Sequence, residues 1–506
     1  MGKAVGIDLG TTYSALAYVD GFGKPIILKN ADGQITTPSV VFFDPPNYTV
    51  GETALQATIT DPDRVVQFVK RFMGQPNFRV QIGDKEYSPE FVSALILRKI
   101  VQDAEMELGE DITEAVITVP AYFTETQRHA TIEAGELAGL KVLRIINEPT
   151  AAALSYGIQR RTHDKRILVY DLGGGTFDVT VLNCGENEFD VLSVGGDHRL
   201  GGKDFDDRII DYICERIKAD YGVEVTGDAE VEAELRLKAE GAKRQLTGRQ
   251  MVPISLKVPN PDGIGRAIPI KVELTREAFE GAATDLLTRT EMLLESVLAK
   301  ADLEWRDIDE VLCVGGSSRM PMVSKMLERL SGRKPMLHDP DECVAKGAAL
   351  QAELLSGESS LPEVSVGHVL SHSLGVAVMS NGRPIIDHIL PSLTRLPTMQ
   401  RREGYTTTTD SQTVVQIRIY EGESADPQSY GKGPLGVFNL DTSPARPKGQ
   451  PKLSVEFRCD ENGRITALAK DADTGKENYL TIALAGQRDE SEVSGEAQLM
   501  SEALVS

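Results

Sequence analysis

Two regimes of patterning divide the chain. Up to about Leu355, short apolar runs alternate with stretches whose apolar residues recur every three or four positions, the alternation that builds an α/β architecture. "AVITVPAYF" (115–123) predicts a buried strand ending at Pro120. "TETQRHATIEAGELAGL" (124–140) predicts a helix with Thr124 as N-cap and Gly139 near its stop. "RILVYDLGGG" (166–175) is a strand running into a glycine-rich turn, and "EVEAELRLKAEGAKRQL" (230–246) is a helix crowded with charge. Beyond Ser356 the helical period fades. "SGESSLPEVSVG" (356–367) is small and polar, and residues 356–375 read as a linker. In "QTVVQIRIYEGE" (412–423), Val415, Ile417 and Ile419 share one face while Gln416, Arg418 and Tyr420 share the other. "KLSVEFRC" (452–459) alternates in the same way, and the Asn-Gly pair of "DENGRI" (460–465) predicts a turn between strands. The expected organisation is an α/β region over 1–355, the linker, an all-β module over 376–485, and a weakly patterned acidic tail over 486–506, expected to be disordered.

At about 150 residues per domain, 506 residues suggest three or four compact units. No apolar run approaches the roughly 18 residues of a membrane span. The opening "MGKAVGIDLG" has no long apolar stretch and is not expected to be a signal peptide, and Gly6 stands where a myristoylation context needs Ser or Thr. Five scattered cysteines without a CxxC pair suggest free thiols in a reducing cytoplasm. The net charge of −22 repels nucleic-acid backbones and anionic membranes, so a bound polyphosphate would need local devices to hold it.

One local device occurs twice. "IDLGTTYSALAYV" (7–19) and "DLGGGTFDVTVL" (171–182) each end a strand on an aspartate, pass through glycine and threonine, and begin another strand. Glycines let backbone N–H groups approach phosphate oxygens, and threonine adds a hydroxyl donor. The carboxylate, which repels phosphate, suits a metal ion or its bound water. A single glycine-rich hairpin is usually only a turn. Two of them face to face would clamp one polyphosphate and its Mg²⁺. No GxxxxGK[ST] sequence is present, so a P-loop is not the phosphate device.

The first 355 residues resemble the ATPase domain of the Hsp70 chaperone family, within the actin/hexokinase/Hsp70 superfamily. The resemblance rests on "GIDLGTTYSALA", "AVITVPAYFTETQRHAT", "RIINEPTAAALSYG", "VYDLGGGTFDV", "LGGKDFD", "VGGSSRMP" and "DPDECVAKGAALQA". Through "GVFNLD" and "VVQIRIYEGE" the all-β region is similar, less tightly, to the family's peptide-binding sandwich. The resemblance implies an actin-like, two-lobed ATPase domain of duplicated ribonuclease-H-like folds, followed by a β-sandwich that binds extended apolar segments of unfolded clients. It implies hydrolysis of ATP to ADP and phosphate with Mg²⁺, and K⁺ as a further assisting ion. Asp8 and Asp171 would hold the metal through water. Gly10, Thr11, Thr12, Tyr13, Thr176, Gly201, Gly202 and the backbone of Gly173, Gly174 and Gly175 would surround the phosphates. Lys70 would position the attacking water, with Glu148 and Asp178 completing the polar network, the positioning and neutralisation that phosphoryl transfer needs.

Glu240, Lys243, Arg244 and Thr247 fall at i, i+3, i+4 and i+7 on one helical face. Spacing alone reads as an exposed, salt-bridged face. The family places these positions against ribose and base, with Gly315, Gly316, Ser317 and Arg319 against adenine and Asp341 capping the pocket. Val376, Met379, Tyr405, Val415 and Ile417 would line the peptide groove, although such residues equally well fill a sandwich core. Arg144 matches an arginine used toward J-domain co-chaperones, and a nucleotide exchange factor is a further implied partner.

The sequence departs from the family at several points. "EVSVGHVLSHSLG" (363–375) replaces a leucine run flanked by aspartates, which puts interdomain coupling in question. The family's helical lid is missing after the β module, which would speed peptide release. His198 in "GDHRLGG" (196–202) replaces a threonine, and the stretch between Gly74 and Glu90 is short. Two other readings are a small-molecule kinase of the same superfamily and a nucleotide-binding scaffold or actin-like polymer.

Overall fold

The computed structural model describes all residues except 1–2, 76, 161–163, 186–187, 226, 228, 259–266, 357–363, 432, 461–462 and 483–489. Asn462 of the expected Asn-Gly turn, the middle of the expected linker and the start of the expected tail lie outside the described residues.

Two six-stranded sheets organise the first 355 residues. In the first, Lys141–Asn147, Ile112–Val119, Lys3–Asp8, Tyr13–Val19 and Pro25–Leu28 lie side by side, with Thr37–Pro38 added on Tyr13–Val19. The second runs Met336–Leu337, Glu310–Val314, Lys165–Leu172, Phe177–Cys184, Glu188–Asp197 and Ser365–Gly367. The two share an order: each leading strand has a parallel partner on one side and hairpins into an antiparallel strand on the other. The leading strands are buried apolar runs, "AVGI" and "ILVY", as strands covered on both faces must be.

The predicted helices form where expected. Helix Glu125–Leu137 begins after Thr124, whose backbone N–H (3.0 Å) and hydroxyl (3.2 Å) both donate to Gln127 Oε1. The charged stretch becomes helix Ala229–Leu246. Each sheet has its own core, and an alanine-rich cluster joins them: Ala17, Ala152, Val169, Leu312, Ala348 and Ala349 are all buried. Small side chains let backbones meet there. A Cβ built at Gly347 on helix Cys343–Leu355 would lie 1.8 Å from the carbonyl oxygen of Ala151 on helix Glu148–Arg160, and one at Gly6 would lie 1.9 Å from Ala349 N.

After residue 370 the chain forms two four-stranded antiparallel sheets. One is Arg383–Leu390, Leu374–Ser380, Val414–Glu421 and Gly436–Asp441; the other is Thr398–Tyr405, Leu453–Cys459, Ile465–Asp471 and Glu477–Thr481. Their alternating apolar faces share one core, with Ile417, Ile419 and Phe438 on one sheet and Val455, Phe457 and Ala467 on the other.

Two segments differ from the sequence expectation. Within the expected linker, Ser365–Gly367 pairs in parallel with Glu188–Asp190 and extends the second sheet, while Val364 and Val366 pack on the alanine-rich core. An edge strand with unpaired backbone groups accepts this addition despite the interrupted apolar run. The acidic tail is not a disordered coil. Glu490–Glu502 is a helix and Leu504–Val505 a strand paired in parallel with Asn47–Tyr48, with Met500 and Ala503 buried in the first core. Val493, Ala497 and Met500 face one groove, while Leu499 and Leu504 remain exposed.

The β module sits against the first α/β half. Ser371 Oγ donates to Ala121 O (2.7 Å), the His372 ring packs edge-on against Tyr122 at 4.2 Å, and the Glu125 N–H donates to the Glu421 carboxylate at 3.3 Å. Arg395 pairs with Glu188 and Asp190 on the second sheet at 2.9 and 2.8 Å. Among the described residues no helix is long and apolar enough to cross a membrane.

Candidate functional site

Both repeated phrases form hairpin tips. Asp8 pairs with Ala15 across the first hairpin, and Asp171 with Asp178 and Leu172 with Phe177 across the second. The tips touch. A Cβ built at Gly174 would lie 2.0 Å from Thr12 Oγ1, and one at Gly175 would lie 2.2 Å from Thr11 Cγ2. Glycine is required at both positions by this approach. Gly201 and Gly202 back the second hairpin: Gly202 N donates to Gly173 O (2.9 Å) and Lys203 N to Gly174 O (2.8 Å).

Between the hairpins lies a cleft of about 420 Å³, within the size range of small-molecule sites. Asp8, Gly10, Thr11, Thr12, Lys70, Glu148, Asp171, Gly173, Gly174 and Thr176 line it. So do Tyr13, Glu240, Lys243, Arg244, Thr247, Gly315, Gly316, Ser317, Arg319 and Asp341. Of the residues expected around phosphate, Gly175, Asp178, Gly201 and Gly202 stand one layer behind the wall. Asp178 is buried and accepts from Tyr122 N at 3.3 Å.

Lys70 sits on the short 3₁₀ turn Val69–Phe72, entered through Phe68 at φ 58°. Its amine is buried and donates to Glu148 Oε1 at 2.5 Å, and Glu148 opens helix Glu148–Arg160. Three aspartates join them. Burial, then the Glu148 charge, pushes Asp8 up to about 7 and Asp178 up to about 8. Burial followed by Glu148, Asp178 and Asp8 holds Asp171 well above the usual carboxylate range. Four carboxylates thus face one amine, an imbalance that a divalent cation or protons must relieve. Among the described residues no three metal-ligating side chains converge. Carboxylate oxygens such as those of Asp8 and Asp171 are hard donors, which suits Mg²⁺.

The other side of the cleft carries flat, cationic groups. Arg244 pairs with Glu240 (2.9 Å) and lies 4.9 Å over the Tyr13 ring, whose hydroxyl donates to Glu240 at 3.3 Å. Arg319 pairs with Asp341. Lys243 is already engaged: its amine donates to Asp206 Oδ2 and Gly202 O, both at 2.8 Å, so it props the second hairpin. The hydroxyl of Thr247, just past the helix end, donates back to Arg244 O at 2.7 Å.

Arg71 escaped the sequence reading. Its Nε donates to Gly175 O (2.9 Å), and its two terminal nitrogens grip Asp204 at 3.2 and 2.5 Å. One side chain thereby ties the Lys70 turn to the second hairpin and to the start of helix Gly202–Tyr221. Its position beside Lys70 in "VKRFMG" was the available signal.

The expected peptide-groove residues separate. Val376 and Ile417 are buried in the shared core, while Val415 and Tyr405 pack partly against it. Met379 lies on the opposite face of its strand from Val376 and is 55% exposed, and the Tyr405 hydroxyl donates to Asp387 at 2.6 Å. Arg144 lies on strand Lys141–Asn147 near the docked module, where its charge helps to lower the His368 pKa.

A family model described as "Hsp70 protein" matches residues 4–79 and 74–503, nearly the whole chain. That family is one of chaperone-type ATPases using ATP or ADP and Mg²⁺ and acting on client polypeptides with co-chaperones. With the coverage so complete, the chain belongs to the Hsp70 family.

Proposed function

We propose that this protein is an ATP-hydrolysing chaperone whose two α/β lobes, duplicated ribonuclease-H-like folds, hold one nucleotide between their hairpins. The observation that carries this reading is the contact of Gly174 and Gly175 with Thr12 and Thr11, which brings both hairpin tips and their threonines to one cleft. In this reading the Gly174 amide and the hydroxyls of Thr11, Thr12 and Thr176 donate to phosphate oxygens, while Gly173 N donates to Thr176 O at 3.0 Å and closes the turn. Asp8 and Asp171 hold the waters of Mg²⁺, which when bound neutralises the charge of the phosphates. Lys70, fixed by Glu148, orients the attacking water beside the terminal phosphate, and the Glu148 carboxylate accepts its hydrogen bond with Asp178 one layer behind. Arg244 and Arg319 offer planar guanidinium groups to the adenine, and Glu240 offers an acceptor to the ribose.

The two antiparallel sheets are the β-sandwich expected to take extended apolar segments. Because Val376 and Ile417 fill the core here, a groove at these residues requires the two sheets to part locally. The test is calorimetric titration of the full chain with ATP and ADP, with and without Mg²⁺, followed by turnover with and without an unfolded apolar peptide. Magnesium-dependent binding with peptide-stimulated turnover is expected. Failure to bind either nucleotide overturns the reading, and turnover stimulated by a sugar in place of peptide favours a small-molecule kinase.

A further inference from the structure

Both ends of the β module are anchored, and on opposite halves of the α/β region. On its N-terminal side, Ser365–Gly367 pairs with the second sheet. On its C-terminal side, the chain returns to the first half. Leu504 N donates to Pro46 O (3.0 Å), Ser506 N to Tyr48 O (2.9 Å) and Val50 N to Ser506 O (2.8 Å). Helix Glu490–Glu502 lies against helices Pro89–Leu108 and Glu125–Leu137. Its Glu496 is 7% exposed and accepts from Ser88 N (3.1 Å) and Ser88 Oγ (2.9 Å) at the start of helix Pro89–Leu108, where the helix dipole favours a carboxylate. Arg79 pairs with Glu492, Arg98 donates to Met500 O, and Met500 and Ala503 enter the first core.

Chain length gives this anchor its force. Ile482, in the shared core of the module, and Glu490 are eight residues apart in sequence. Eight residues span at most roughly 30 Å, so while the helix is seated the module stays within that reach of the first half. A tether that short keeps the local concentration of the module at its docking surface high, whatever occupies the nucleotide cleft.

We infer that the segment Glu490–Val505 is an intramolecular latch, which keeps the β module docked on the α/β region by adding a strand and a helix to the first half. The test is hydrogen exchange on the full, nucleotide-free chain, reading three places. Val50 reports the latch strand, Glu125 the module contact through its bond to Glu421, and Ser365–Gly367 the docked linker. The variants are Glu496→Lys, which sets an ammonium against the Ser88 donors and the helix start, and deletion of residues 490–506. Expected is an exchange rate at all three places raised about tenfold or more in both variants. Glu496→Lys leaves the residues of the first half unaltered, so protection across Ile112–Val119 stays and separates latch release from unfolding. The inference is overturned if Val50 exchanges freely in the unaltered protein, or if neither variant frees it. It is equally overturned if Val50 is freed while Glu125 and Ser365–Gly367 keep their protection.

Discussion

Replacing Lys70 with alanine removes the cation paired with Glu148 among four buried carboxylates. Breaking a buried pair by removing one partner costs about 3–5 kcal/mol, because the other charge is left uncompensated. Lys70 also pulls down Asp8, Asp171 and Asp178, so all three climb further without it. The sign follows from these upward shifts. Carboxylates raised by folding bind protons that the unfolded chain has released, so the folded state loses ground as pH rises through their folded values. The stability deficit of Lys70→Ala is therefore expected to be larger at pH 8 than at pH 6. In turnover, losing one positioned electrostatic group costs about 10²–10³ in kcat. Nucleotide affinity should change by less than about tenfold, because Tyr13, Arg244 and Arg319 are untouched. Single-turnover hydrolysis, nucleotide titration and urea unfolding at the two pH values measure all three. Normal turnover refutes the role of Lys70, and a deficit independent of pH refutes the electrostatic argument.

Two further outcomes are expected. Gly175→Val places its side chain on Thr11, 2.2 Å from Cγ2, and should part the hairpin tips and weaken ATP binding by about tenfold or more in calorimetry; unchanged affinity contradicts the clamp. At the module contact, burial pushes Glu125 up to about 7 and Glu421 up to about 8, the Glu125 charge adds to the pressure on Glu421, and Arg128 moderates both. Asp460 adds to the pressure on Glu125. The docked state holds about one proton that the undocked state releases, so docking weakens by up to about tenfold per pH unit between pH 5 and 8. Glu421→Gln should flatten that dependence, read as Glu125 amide protection corrected for intrinsic exchange, and a slope unchanged by the substitution rules the pair out.

Local chemistry was legible in the sequence, and long-range docking was not. The hairpins were readable because strand, aspartate, glycine and threonine stand consecutively; for Glu240, Arg244 and Thr247 the helical period gives a shared face, and only the family resemblance points that face at a ligand. Arg71 was hidden because an arginine beside a lysine carries no period, and its partners Gly175 and Asp204 lie more than a hundred residues away. The latch helix was hidden by composition. Val493, Ala497 and Met500 fall at i, i+4 and i+7, but acidic and small residues around them dilute the stripe. The linker strand was misjudged for a related reason: a strand added at a sheet edge is held by backbone bonds, which the interruption of an apolar run does not weaken. The groove residues divided because alternation assigns faces and cannot distinguish a core from a groove.

The crossing of Gly347 over Ala151 brings two helical backbones together with no side chain between them. Even a methyl group at position 347 would have to push the two helices apart, because it would meet the Ala151 carbonyl oxygen at 1.8 Å. Ala151 lies one helical turn from Glu148, and Glu148 holds the ammonium of Lys70. The helix that would be displaced is the one whose first residue holds the lysine, so the tightness of this crossing and the placement of the cleft floor share one element.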